Sequence, residues 1–308
     1  PYMGAAYFDV DLKKFVNAQY AAGKSDLIGA FMLRCQNLAK STGSFGMITI
    51  QNWMFISSFE KLRAELLNSS SVDSLIHNGR GVWGSDFGSC MFVMTGNTFG
   101  AQHVGTYKRL FSKHGSVTTG DDLRDRFFDS FRYLVSIGSL SKVPGIPFAY
   151  WLSEIYRDAF VKGELLGLRS KTAVGLNTGD NAKFLRSWNE VSISRINFSA
   201  KSFADAAESG KTWFPYAKGG ATRKWYGNTD LVVNWTNDGK VIKDYAVVRN
   251  KGKHWSRYIQ NLDYMFRGGL TWSFLSAYFG IRRLEPGSMF DVLGSSIFPE
   301  DEWLEVIG

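Results

Sequence analysis

The chain has 308 residues and a formal net charge of +8, from 36 Lys and Arg against 28 Asp and Glu, with 44% hydrophobic residues. This composition excludes a disordered chain, and two cysteines, Cys35 and Cys90, exclude a disulfide-built scaffold. No run of about 18 apolar residues occurs and the first residues lack a signal-peptide pattern, so a cytoplasmic protein with no membrane contact, large enough for two domains, is expected.

In chain order, residues 5–21 read as a loop and a short helix. The segment SDLIGAFMLRCQNLAKSTG predicts an amphipathic helix: Ser25 can cap it, and Ile28, Phe31, Met32, Cys35 and Leu38 share one face. Lys40 and Gly43 mark its end. Phe45 to about Gln51 reads as a buried strand. SSFEKLRAELLN reads as a helix with Ser57 or Ser58 as its cap. SVDSLIHNG and SCMFVMTGN then read as two strands joined by a glycine-rich turn. The order helix, strand, helix, strand, strand is half of an open α/β sheet with a terminal hairpin. A half sheet cannot close its own core, so a preceding half is expected ahead of Pro1. Residues 105–165 read as mostly helical. From about Leu176, short segments broken by glycines predict a second, mixed α/β domain. The final DEWLEVIG is amphipathic without a stop signal, so that domain is expected to be truncated.

The charge is concentrated. Residues 211–257 hold ten Lys and Arg and three Asp and Glu. Trp213, Phe214, Tyr216, Trp225, Tyr226, Trp235 and Trp255 interleave with them. Cations that meet phosphates beside rings that contact bases suit a nucleic-acid surface. The same pattern is also that of a solvated β-rich face with its rings buried. Gly79, Gly81 and Gly84 have phosphate-loop spacing, but no helix opens after them, so they read as a hairpin connection. His77, His103, His114 and His254 are too dispersed to predict a metal site, and both cysteines lie in apolar runs and read as buried free thiols.

The opening PYMG, followed by KSDLIGAFMLRC, GMITIQNWMFISSFEKLRAELL and SVDSLIHNGRGVW, resembles amino-methylating DNA adenine methyltransferases. In that family an Asn-Pro-Pro-Tyr loop holds the adenine amino group and stacks its aromatic on the flipped-out base. The resemblance makes Pro1 the second proline and Tyr2 the aromatic, so the chain is expected to begin inside the catalytic loop. A second base-stacking ring is expected before the terminal hairpin strand: Trp83 is the first candidate and Phe87 the next. GLNTGDNAKFLRSW resembles the junction of catalytic and target-recognition domains in large members, with Gly175, Thr178, Gly179, Asn181 and Phe184 matching. The same segment is also a capped helix start, with Thr178 or Asp180 as the cap. KTWFPYAKGGATRKWYGNTDLVVNWTNDGK is similar to the recognition domain of the bacteriophage-exclusion (BREX, or phage-growth-limitation) adenine-specific methyltransferases.

The resemblance implies the second half of a Rossmann-like methyltransferase sheet over 1–104, a helical connector over 105–175, and a mixed α/β target-recognition domain over 176–308. It implies methyl transfer from S-adenosylmethionine to adenine N6 in double-stranded DNA, within phage defence and with other defence proteins as possible partners. The cofactor loop is expected upstream, so the chain alone is expected to be inactive. Lys218, Arg223, Lys224, Lys251 and Lys253 are the candidate DNA contacts. The competing readings are part of a fused type II restriction–modification enzyme, a non-enzymatic DNA-specificity subunit, and a methyltransferase acting on RNA or on protein glutamine.

Overall fold

In a computed structural model the residues described are 2–82, 84, 87–96, 100–112, 119–274 and 278–299. Two of the expected site residues, Pro1 and Trp83, lie outside these. The chain divides into two compact units, Pro1–Glu164 and Leu165–Gly308.

The first unit begins with helices α1 (Val10–Gln19) and α2 (Leu27–Leu38). Strand β1 (Ser44–Ile50), helix α3 (Glu60–Ser69), and strands β2 (Ser70–Arg80) and β3 (Gly88–Gly96) follow in the expected order. The cap of α2 is Asp26, whose Oδ1 accepts from the Ile28 amide at 3.0 Å, and not Ser25, whose hydroxyl donates to the Ser58 carbonyl at 2.8 Å. The buried face of α2 also differs. Ile28 and Met32 are buried, but Phe31 and Leu38 are 44% and 67% exposed. The reason is a backbone contact: a Cβ on Gly29 would lie 2.6 Å from the Gly23 carbonyl oxygen. That close approach turns Gly29, Met32 and Leu33 inward. Helix α3 has no side-chain cap from Ser57 or Ser58; a short 3-10 turn leads into it.

Strand β3 pairs with β1 and β2, both antiparallel. Two further strands complete the sheet, β4 (Val104–Arg109), parallel to β2, and β5 (Arg132–Ser136), antiparallel to β4. The order is β1-β3-β2-β4-β5. Residues 105–136, expected within a helical connector, thus carry two strands. Their side chains alternate, with Gly105, Tyr107 and Val135 buried between less buried neighbours, which is a strand period and not a helical one. The helices in this stretch are short: α4 (Gly120–Asp129), α5 (Ile137–Leu140) and α6 (Glu154–Lys162). Pro144 and Pro147 lack amide donors, which keeps the segment between α5 and α6 irregular.

The core of this unit joins Ile28, Met32, Leu62, Leu66, Val72, Leu75, Phe92 and Met94. Trp53 lies edge-on to Phe92 and Phe148, at 5.5 and 4.9 Å between ring centroids. Arg63 of α3 is 1% exposed and donates to the carbonyls of Trp53, Ile56 and Gly145 at 2.7–2.9 Å. These charge-assisted bonds anchor the irregular segment on α3.

Among the described residues the second unit holds two four-stranded sheets. Its elements in order are β6 (Ser170–Ala173), α7 (Asn181–Phe184), β7 (Leu185–Ser187), α8 (Phe203–Glu208), β8 (Trp213–Ala217) and β9 (Leu231–Asn234). Then come α9 (Thr236–Arg249), β10 (Gly269–Trp272), β11 (Ile281–Leu284), β12 (Met289–Phe290) and β13 (Ser296–Pro299). The sheet orders are β11-β10-β13-β6 and β12-β8-β9-β7. Leu176, Phe184, Phe214, Tyr216, Val233, Trp235, Phe266 and Phe290 form the shared core.

Candidate active site and DNA-binding loops

In the first unit, the C-terminal ends of β1 and β2 meet the start of β3. Ile50 pairs with Ser89, and Gly79 also pairs with Ser89 across a bulge. Tyr2 reaches the flank of β1, where its hydroxyl donates to the Ile48 carbonyl at 2.8 Å. A second anchor lies beside it, since the Leu27 amide donates to the Met3 carbonyl at 2.9 Å. Held by its hydroxyl, the Tyr2 ring remains 52% exposed. Phe87, immediately before β3, is 43% exposed, and the two ring centroids are 6.4 Å apart with planes tilted by 34°. Two expected site residues far apart in sequence are therefore adjacent.

Sequence reasoning missed a buried hydrogen-bonded group, Gln51–His77–Tyr150, which touches the start of β3 at Gly88. His77 is 3% exposed. Its Nε2 is 2.8 Å from Gln51 Oε1 and its Nδ1 is 3.1 Å from the Tyr150 hydroxyl. With Nε2 protonated, the imidazole donates to Gln51 and accepts from Tyr150. Burial pushes the Tyr150 phenol well above its ordinary value, so its hydroxyl keeps its proton. The Gln51 amide lies directly over Gly88: a Cβ there would be 2.1 Å from Gln51 Cδ. The signal available in sequence was a histidine inside an apolar strand pattern, which marks a buried hydrogen-bonding group more readily than a ligand. The glycine series reads as expected, as the connection from β2 to β3: Gly79, Gly81 and Gly84 all have positive φ. At Gly79 a Cβ would also strike the Phe111 ring at 2.6 Å. Among the described residues, strand β3 and not a helix follows this turn, so it lacks the helix N-terminus of a phosphate loop.

In the second unit the GLNTGDNAKF segment is an architectural clamp. A Cβ on Gly175 would lie 1.9 Å from the Phe290 carbonyl oxygen, and one on Gly179 (φ +72) would meet Arg249 at 2.0 Å. Thr178 donates to Asn181 Oδ1 at 2.7 Å, and Phe184 is buried in the core. The helix cap is Asp180, whose Oδ1 accepts from the Lys183 amide at 3.0 Å. Beside them the Tyr216 hydroxyl lies 2.7 Å from both the Leu176 carbonyl and the Asp291 carboxylate. Burial, with Asp291 adjacent, raises the Tyr216 phenol well above its ordinary value.

The seven interleaved aromatics separate by burial. Trp213, Phe214, Tyr216 and Trp235 are core, and Trp255 lies under Lys243. Trp225 and Tyr226 are 66% and 61% exposed. The five candidate cations occupy two loops. Lys218, Arg223 and Lys224 lie between β8 and β9, and Lys251 and Lys253 lie on the turn after α9. Among the described residues none of the five forms an ion pair, whereas Lys240 and Lys243 on α9 pair with Asp244 and Asp238.

The sequence is similar to those of a restriction-modification methylase family and of two adenine-specific methyltransferases. The Eco57I restriction-modification methylase family matches residues 1–83. The chain is 36% identical over 317 aligned residues to the adenine-specific methyltransferase PglX of Lacticaseibacillus casei (strain Zhang), covering 98% of the chain and 25% of that protein. It is 33% identical over 306 residues to the adenine-specific methyltransferase BrxX of Escherichia coli O9:H4 (strain HS), covering 98% of the chain and 24% of that protein. The chain thus spans about a quarter of the length of these relatives. Its fold is also similar to that of the type IIL restriction-modification enzyme MmeI, solved in complex with DNA. The TM-score is 0.51 at 11% identity, over 97% of this chain and 40% of that one.

Proposed function

We propose that this chain is part of a site-specific DNA adenine-N6 methyltransferase of phage defence. The carrying observation is the 36% and 33% identity to two adenine-specific methyltransferases across 98% of the chain. In this reading the first unit is half of a catalytic sheet of methyltransferase type, and the second recognises the DNA target. An enzyme that acts on a base must extrude it from the duplex, at a cost of a few kcal/mol. Tyr2 and Phe87 offset that cost by stacking. A flat base needs about 7 Å between two rings, twice a contact distance of ~3.5 Å. From 6.4 Å, a small outward rotation of Phe87 opens the slot. Tyr2 keeps its hydroxyl on the Ile48 carbonyl while its face receives the base, and the Gln51–His77–Tyr150 relay holds the floor beside it. S-adenosylmethionine supplies the methyl group and is held by residues outside this chain. Lys218, Arg223, Lys224, Lys251 and Lys253 contact DNA, where phosphate contacts position and base contacts specify.

The test is methylation of DNA by the full-length protein, read by sequencing for N6-methyladenine. The full-length protein is expected to methylate one short site, and this chain alone is expected to methylate none. Tyr2→Ala is expected to lower methylation at least a hundredfold while DNA affinity changes by less than about tenfold. Full activity of Tyr2→Ala would remove Tyr2 from the site, and methylation by the chain alone would overturn the division of labour. The likeness to MmeI supports a second reading, a methyltransferase fused to a nuclease. DNA cleavage by the full-length protein separates the two.

A further inference from the structure

The loop between β8 and β9 presents Trp225 in an unusual way. Its φ is +71°, and the Tyr226 amide donates to the Lys224 carbonyl at 2.8 Å. A hydrogen bond between residues two apart around a positive-φ centre is a γ-turn of the rare, strained kind. Such a backbone is a genuine outlier for a bulky residue. It persists only where the surroundings over-determine it, and here they do. The Trp225 amide donates to the Ile281 carbonyl at 3.0 Å, and the Trp225 carbonyl accepts from the Arg283 amide at 2.9 Å. Asn228 Nδ2 donates to the Ala221 carbonyl at 3.0 Å and cross-ties the loop. The Arg223 side chain lies back over Gly227, where a Cβ would meet its Cδ at 2.5 Å. All this order leaves the indole 66% exposed, so the strain does not serve core packing.

The charge around it is predominantly positive, with Glu285 paired to Arg283 at 3.4 Å. No Asp or Glu occurs between Glu208 and Asp230, or between Asp263 and Glu285, while these stretches hold Lys218, Arg223, Lys224, Arg282 and Arg283. Arg282 is 1% exposed, and its Nη2 donates to the Lys218 carbonyl at 3.4 Å, which places a cation directly beneath the loop. A rigid, exposed indole on a predominantly cationic support is complementary to a polyanion with stackable faces.

We propose that Trp225 is a base-stacking wedge that the loop holds ready to enter an opened step of double-stranded DNA. Arg223 and Lys224 bind the flanking phosphates. This rests on the DNA-methyltransferase reading and adds to it a second place, in the other unit from Tyr2, where a ring takes a base. Because the loop is ordered before DNA arrives, the indole pays little ordering entropy on binding.

The experiment uses the full-length protein and a fluorescent 40-base-pair duplex carrying the site that the wild type methylates, with affinity measured from about 50 to 300 mM salt. Trp225→Gly is the informative variant, since glycine accepts the positive φ without strain. It is expected to match or exceed the wild type in thermal stability and to bind DNA about 5- to 150-fold more weakly, the range for loss of one base stack. Its salt dependence should equal that of the wild type. Lys224→Ala should instead flatten the slope of log affinity against log salt by about one. Trp225→Phe, which keeps a ring, should bind within a few-fold of wild type. Trp225→Gly binding within twofold of wild type overturns the wedge alone. Failure of the wild type to bind or methylate any DNA overturns the proposed function and the wedge together.

Discussion

Tyr107 is stacked on Tyr150, ring centroids 5.1 Å apart and planes 12° from parallel, and it is fully buried on β4. Its hydroxyl has no hydrogen-bond partner among the described residues. A buried unsatisfied hydroxyl costs about 1–3 kcal/mol of desolvation, while the stacking belongs to the ring. Tyr107→Phe is therefore expected to raise the stability of the first unit by about 1 kcal/mol, measured by denaturant unfolding. A loss of stability would mean that the hydroxyl is satisfied in solution. Arg63 is the opposite case. Burial lowers its guanidinium below the ordinary value, yet three carbonyls receive its protons, so the charge is satisfied without a bonded carboxylate. Neither state is readable in sequence, where Tyr107 is one aromatic in TYKRL and Arg63 one cation on an amphipathic helix.

At the scale of elements, the start of β3 and the end of β1 meet through Gly88 and Gln51. An alanine at 88 would place its Cβ 2.1–2.4 Å from the end of the Gln51 side chain. That side chain is flexible and can move aside, but only by leaving His77. Gly88→Ala in the full-length protein is expected to keep stability within about 1 kcal/mol of wild type and to lower methylation by about tenfold or more through misplacement beside the base slot. Lost stability with unchanged methylation would assign the relay to the core alone. Helices α5 and α6 are joined by another polar group. Glu154 is lowered from 4.5 to about 2 by Lys142, Ser139 and Arg157, and Asp158 is lowered from 3.8 to about 2 by Lys142 and Lys162. A carboxylate whose folded value lies below its unfolded value adds stability above the unfolded value, and that stability is lost as pH falls through the folded one. Thermal melts should thus fall across pH ~4.5 to 2 for the wild type. Glu154→Gln should melt lower than wild type above pH 5 and flatten part of that fall. An identical pH profile for the two would show the group to be fully screened.

At the scale of the whole molecule, the chain forms two compact units that meet in sequence at Glu164 and Leu165. Residues 161–169 are all exposed and include Lys162 and Arg169. Trypsin requires an accessible extended backbone, so brief digestion is expected to cut first at Lys162 or Arg169 and leave two resistant fragments. Earlier cleavage within either core sheet, read by mass spectrometry, would contradict the division. The boundary lies at the end of the segment 105–165, whose patterning reads as mostly helical. Local periodicity could not decide this, because β4 and β5 are strands only through their pairing with β2 and with each other.

The sequence by itself determined the order of elements in the first hundred residues, through periods of 3.6 and 2 that record which side chains face a core. It also singled out the GLNTGDNAKF segment, where Gly175 lies against the Phe290 carbonyl and Gly179 has a positive φ beside Arg249. Only the tertiary structure decided which of the interleaved rings are free. Trp213 and Trp225 carry the same local signal, yet one is sealed in a core and the other is 66% exposed on a γ-turn. It also decided that Tyr2 and Phe87 meet, since their proximity comes from the pairing of β1 with β3 and from the Ile48 carbonyl. Burial and the meeting of distant residues depend on contacts between segments, and no local pattern specifies those contacts.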